Sequence, residues 1–254
     1  VTLARTYEPR RFPSGGTYRR HVTSHGKKTP IVLRDEHAAI VDARTLFPST
    51  RTAPPASGRV LKSGVNQRKL GKMVIKGRWR GFPIYALTLE ERATCPRSCL
   101  NFDSCYGNAM HFAHRMVHGE AFEDALAAQL VDLAADHPQG FVVRLHILGD
   151  FYSVDYVGIW ERALATLPEL NVFGFTARQP EDPIGAAVRE VARRFGPRFA
   201  MRWSGSDGEM GAVTIERGEE TALTICPAQL RDDKFCGSCG LCWHSRDAIA
   251  FRRH

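Results

Sequence analysis

The 254-residue chain has no run near the about eighteen apolar residues that a bilayer crossing needs, which excludes a helical membrane span. Its basic N-terminal stretch is not followed by an apolar core, so a secretory signal is not expected and the cytoplasm is the expected compartment. No G-x-G-x-x-G follows a strand-like run, which removes the dinucleotide fingerprint. Acidic residues are missing altogether from 51–80, where nine Lys and Arg stand. Cysteine is sparse and confined to two clusters, Cys95, Cys99, Cys105 and Cys226, Cys236, Cys239, Cys242. Clustered cysteines in a cytosolic chain of this length read as metal ligands before disulfides.

What is present is unevenly charged. The net charge is +8, but residues 1–80 hold 18 bases against 4 acids, whereas 81–254 hold 17 bases against 23 acids. A mildly acidic body carries a basic front section, an arrangement suited to a polyanionic partner. Residues 1–60 read as a basic, partly disordered N-terminal extension and linker, with a short strand at 31–33 and a helix at 38–46. Residues 61–254 read as one α/β domain. Strand-like runs at 84–88, 141–148, 172–176 and 199–203 alternate with helical spacing at 107–117, 120–136, 154–167 and 183–195, and shorter strands follow near 212–216 and 222–225. Strand starts about thirty residues apart are the length of a βα unit, so the expected fold is a TIM-barrel-like (β/α) domain with fewer than eight full units. In such folds the chemistry lies at the C-terminal ends of the strands, where both cysteine clusters, Asp150, Arg178 and the 204–207 loop all fall.

Each constellation has a chemical and a plain reading. Cys236-x2-Cys239-x2-Cys242 with remote Cys226-Pro227 suits Zn2+ or a [4Fe-4S] cluster; His254 or His244 could replace Cys226 as a zinc ligand. Cys95-x3-Cys99-x5-Cys105 offers three ligands and leaves one position open, so it is a candidate second metal or iron–sulfur site. Its spacing is near the Cys-x3-Cys-x2-Cys of radical SAM enzymes without matching it. His111, His114 and His118, at helical spacing, read as a solvated helix face more readily than as a fourth ligand. On the strand at 141–148, Arg144 and His146 share one face and imply a polar interior. Asp150, after Gly149, is either a general base or nucleophile or a helix cap, with Ser153 also competent to cap. Asp207 is a second carboxylate or a turn residue. Arg68, Lys69, Lys72, Lys76 and Arg78 suit phosphate contact, and Trp79 suits stacking on a base.

The segments Asn66–Gly71, Cys105-Tyr106, His146–Ser153, Cys226-Pro227-Ala228 and Cys236–Trp243 are similar to the deazapurine DNA modification (DpdA-like) family of phages and bacteria, itself distantly similar to tRNA-guanine transglycosylases. The resemblance covers roughly 60–254. It implies a TIM-barrel-like fold and exchange of guanine in DNA for a 7-deazaguanine base. Asp150 and Asp207 would be the catalytic aspartates beside His146, with a zinc site from Cys236, Cys239 and Cys242 plus His254 or Cys226. Transglycosylases carry Cys-x-Cys-x2-Cys with a distant His and have no counterpart of Cys95, Cys99 and Cys105. The function expected from the sequence is therefore a metal-binding, nucleic-acid modifying glycosyltransferase acting on DNA with a deazapurine base. The alternatives are an iron–sulfur, radical-SAM-like enzyme and a non-catalytic nucleic-acid-binding protein with structural zinc.

Overall fold

The computed structural model describes residues 7–11, 17–21, 31–67, 69–216, 218–231 and 233–253. Of the N-terminal extension, read from the sequence as partly disordered, Tyr7–Arg11 and Thr17–His21 pair as an antiparallel hairpin; the remainder of 1–30 lies outside the described residues. Residues 31–33 form no strand, and the helix expected at 38–46 is the single turn Ala38–Val41.

The body is α/β, built on a mostly parallel sheet of eight strands. In chain order they are β1 (Lys62–Ser63), β2 (Ile84–Ala86), β3 (Phe141–Leu145), β4 (Leu170–Thr176), β5 (Phe199–Ser204), β6 (Gly211–Ile215), β7 (Thr224–Ile225) and β8 (Ile249–Arg252). Their spatial order is β7-β8-β6-β5-β4-β3-β2-β1, and only β1–β2 is antiparallel. Among the described residues the row keeps two free ends, β1 and β7. Strand β6 meets β5 only at Trp203 and Ser204, the end of that strand, while its other edge pairs with β8, and so it extends the sheet past the C-terminal edge of the neighbouring strands.

Three helices, α1 (Glu120–Asp136), α2 (Val154–Thr166) and α3 (Pro183–Phe195), supply the crossovers. Ser153 caps α2 through the Tyr156 amide and Asp182 caps α3 through Gly185, satisfying amides that have no partner within the helix. Leu126, Leu130, Trp160, Leu164, Val188 and Val191 from these helices pack on Val143, Leu145, Val172 and Met201 of the sheet. None of the described helices is long and apolar enough to cross a membrane.

The other face of the sheet alternates with the first. Near the N-terminal ends it is apolar: Ile84, Ala86, Val142, Phe173 and Ala200 pack against Leu70, Val74, Trp79 and Trp243. Trp79 stacks on Trp243 at 5.1 Å between ring centroids and is 3% exposed. It is a core residue and cannot stack on a base. One pleat further along, this face carries Arg144, Phe175, His146 and Arg202, and there the cavity opens.

The expected helix over 107–117 is absent. Its place is taken by a 3-10 turn, Tyr106–Ala109, and a two-residue strand, Arg115–Met116. The reason is Arg115, which turns inward to Glu91 (Nε–Oε2 2.5 Å, side chains 0% and 1% exposed) and also donates to the carbonyls of Gly107, Met110 and Ala113. Thr45 donates to the same carboxylate. Removing one member of such a pair strands a buried charge. Glu91→Ala is therefore expected to lower stability by about 3–5 kcal/mol in urea unfolding; a loss below about 1 kcal/mol, the range of an exposed pair, would contradict this role.

Candidate active site

The C-terminal ends of the parallel strands open on a cavity of about 840 Å3 that gathers Cys95, Cys99, Cys105, His146, Asp150, Cys226, Cys236 and Cys242, with Lys69 and Tyr106. Residues from both sequence clusters thus face one space.

Asp150 lies where β3 gives way to the loop before α2. Gly149 makes the turn at φ +83°, and a Cβ there would lie 2.5 Å from Thr94 Oγ1 and 2.6 Å from Leu89 Cβ, so only glycine fits. The Thr94 hydroxyl accepts from the Asp150 amide and donates to the Glu90 carbonyl. The Asp150 carboxylate takes Oδ1 hydrogen bonds from the Phe151 amide (2.8 Å) and the Thr176 hydroxyl (2.8 Å), and an Oδ2 bond from the Ala177 amide (2.7 Å). Ser153, not Asp150, is the helix cap. Arg178 braces the same corner, donating from Nε to the Phe151 carbonyl and from Nη2 to the Thr94 carbonyl. Burial pushes the Asp150 carboxyl up to about 6, against the pull of the Ala177, Thr176 and Phe151 hydrogen bonds and the Arg178 charge. His146 is held neutral, its pKa pressed down to about 3 by burial and then by Arg144. Its Nε2 lies 3.0 Å from the Tyr156 hydroxyl, and its Nδ1 has no partner among the described residues.

Cys95, Cys99 and Cys105 occupy the loop after β2, the first parallel strand. Arg92, at φ +67°, holds that loop by donating to the Phe102 carbonyl and the Asn108 side chain. Burial raises all three thiols, Cys105 to about 11. The histidines do not join them. His111 packs on Phe47 at 4.7 Å, His114 Nδ1 lies 3.2 Å from the Thr52 hydroxyl, and His118 Nδ1 lies 3.1 Å from Glu90.

On the opposite wall, Cys226, Cys236, Cys239 and Cys242 surround a void of about 20 Å3, close to the size of one water-sized sphere. Three of the four also line the large cavity; Cys239 does not. Two contacts hold this segment in place. The Cys236 amide donates to the Lys69 carbonyl and the Gly237 amide to the Leu70 carbonyl, which ties the cysteine loop to the basic segment. Arg202, fully buried, donates to the carbonyls of Gly211, Leu241, Cys242, Ser245 and Asp247. His244 sits against Gly77 and Gly240 and does not line the thiol void. His254 and Arg68 lie outside the described residues. Among the described residues no three His, Cys, Asp or Glu side chains stand in coordinating geometry, so the thiols are gathered but not closed around an ion.

Asp207 is exposed on the loop between β5 and β6 and does not line the cavity, which leaves it a turn residue. Of the basic segment, Lys69 reaches the cavity, while Lys72, Lys76 and Arg78 are exposed on the strap beside it. Arg144 and Arg202 were the residues with most structural consequence outside the expected site. Their signal was a lone arginine in an otherwise apolar strand. No family model, curated protein or solved structure matches this chain.

A 13C titration of the Asp150 carboxyl is expected to give a midpoint near 6. Because the folded state then keeps a proton that the unfolded state has lost, this group makes stability fall as pH rises between about 4 and 6. A midpoint near the ordinary aspartate value would contradict the burial of this carboxyl.

Proposed function

We propose that the chain is an iron–sulfur enzyme of the radical-SAM-like type that modifies nucleic acid. The observation that carries this reading is that Cys95, Cys99 and Cys105, on the loop after the first parallel strand, all line the cavity that holds Asp150. Three thiolates, with no fourth ligand on their loop among the described residues, suit a cluster with one position left for a substrate group. When bound, such a cluster supplies one-electron chemistry to the molecule on its open side. The chain's own residues do the remainder. Arg92 and the Glu91–Arg115 pair fix the cysteine loop, the carboxyl of Asp150 holds or releases a proton near neutral pH, and His146 stays a neutral hydrogen-bonding group. The four-cysteine void suits Zn2+ rather than a second cluster; its donor set is all sulfur and its volume fits one ion.

Base exchange on DNA with a deazapurine base is the second reading, supported by the motif resemblance and by Asp150 in the cavity. That chemistry asks for two carboxylates, and Asp207 does not supply the second. The nucleic-acid partner rests on the charge of the front section and the exposed strap of Lys69, Lys72, Lys76 and Arg78. Closure of the sheet into a TIM-type barrel would belong with either reading, since both place their chemistry at the strand ends.

Anaerobically purified protein is expected to be coloured and to bind iron and sulfide. Replacing Cys95, Cys99 and Cys105 together with Ala should remove about four irons per chain. A colourless, zinc-only protein that exchanges guanine for a deazapurine would overturn the first reading in favour of the second. For the partner, neutralising Lys69, Lys72, Lys76 and Arg78 should flatten the salt dependence of DNA binding, by about 0.9 in slope for each phosphate that is no longer neutralised. An unchanged slope would remove the strap from the interface.

A further inference from the structure

The cavity brings cations and carboxylates together. Lys69, Arg144 and Arg178 line it with Asp150, Glu181 and Glu209, and among the described residues none of the three cations lies within ion-pair distance of a carboxylate. Arg178 is committed to the carbonyls of Phe151 and Thr94. Arg144 is different. It projects from β3, where an aliphatic residue is expected, and its guanidinium stacks over Phe175 at 4.5 Å and Phe173 at 5.6 Å. Only Nη1 is used, on the carbonyls of Leu145 and His146; among the described residues Nε and Nη2 have no acceptor. Arg144 is half-buried on the cavity wall, and its unused donors are available to an anion that enters there.

The groups of opposite or potentially opposite charge that act on Arg144 are Tyr106 and the thiols of Cys236, Cys242 and Cys226, and none of them takes a hydrogen bond from its guanidinium. Around Arg144 the walls are aromatic: Phe173, Phe175, Trp203 and Phe251, with Lys69 Nζ 5.3 Å from the Phe251 ring.

We propose that the small molecule taken up by this cavity is a planar ring carrying an oxyanion, either a carboxylate or a phosphate ester. Its anionic group docks on the free edge of Arg144, with Lys69 at the mouth, and its ring lies among the aromatic side chains. This deepens the reading of the cavity as the reaction chamber by naming the substrate class, and it rests on that reading. The arginine fork suits a two-oxygen contact that lysine cannot copy.

The test is calorimetric titration of the full-length, metal-loaded protein with benzoate, phenyl phosphate and the neutral benzamide, with iron and zinc measured on the same preparation. At least one anion should bind tenfold or more tightly than benzamide, and the tighter anion identifies the source of the charge. Arg144→Gln should abolish that preference. Lys69→Gln, at an exposed position that leaves the fold intact, should weaken it two- to threefold, and Arg144→Lys should restore only part of it. Equal binding of the three probes to the parent protein would overturn the proposal, as would an anion preference that survives Arg144→Gln. If Arg144→Gln does not fold, an anion preference unchanged in Lys69→Gln and fully kept in Arg144→Lys overturns it equally. Absence of anion preference in parent protein that holds its iron sinks this proposal alone, whereas anion preference in iron-free protein sinks the iron–sulfur reading alone.

Discussion

The wide end of this sheet depends on one buried cation. Arg202 leaves an apolar strand and gathers five carbonyl oxygens from the β5–β6 connection and the segment around Cys242. No carboxylate takes part, so the guanidinium is solvated by the very loop it organises. Without it the short helices Cys236–Cys239 and Leu241–His244 would have little to hold them, because each is a single turn and too short to be stable alone. The four thiols would then not be presented toward the sheet. The stacking of Trp243 on Trp79 and the amide bonds from Cys236 and Gly237 to the basic strap complete the attachment.

The opposite wall is held by the same device with a different balance of charge. There Arg115 meets a carboxylate, Glu91, and Arg92 meets only neutral acceptors. Two walls, each carrying three thiols toward the cavity, are therefore fixed by buried arginines rather than by regular secondary structure. Between them stands Arg144, among the described residues the one cation of this inner face with donors still unused. A polar interior that begins one pleat above an apolar one is what allows a packed sheet to hold a cavity at its end.

Regular elements were legible in the sequence where periodicity alone decides them. Residues 120–136, 154–167 and 183–195 are helical almost to the residue, because their apolar positions recur on one face. Strand β3 was legible too, but it ends at Leu145 rather than 148, since His146 onward leaves the ladder to build the Asp150 corner. The convergence of both cysteine clusters and Asp150 on one end followed from the parallel topology. What could not be read was long-range pairing. Arg115 breaks a helical pattern for the sake of Glu91, and Trp79 is drawn inside by Trp243, far along the chain. Asp207 looked like a partner for Asp150 because both follow strands; the early departure of β6 carries it outward instead. Charge, likewise, predicted a basic front section, yet the positive groups with most bearing on the cavity include Arg144 and Arg178 of the acidic body.

The central claim is that two metal-binding thiol groups face each other across one chamber, the first of them holding iron with an open position. Anomalous diffraction from anaerobically grown crystals tests it most directly. The account predicts an iron signal at Cys95, Cys99 and Cys105 on the cavity wall, together with a separate metal signal inside the Cys226, Cys236, Cys239, Cys242 void. A single zinc signal at the second group, with the first three thiols free, would contradict it.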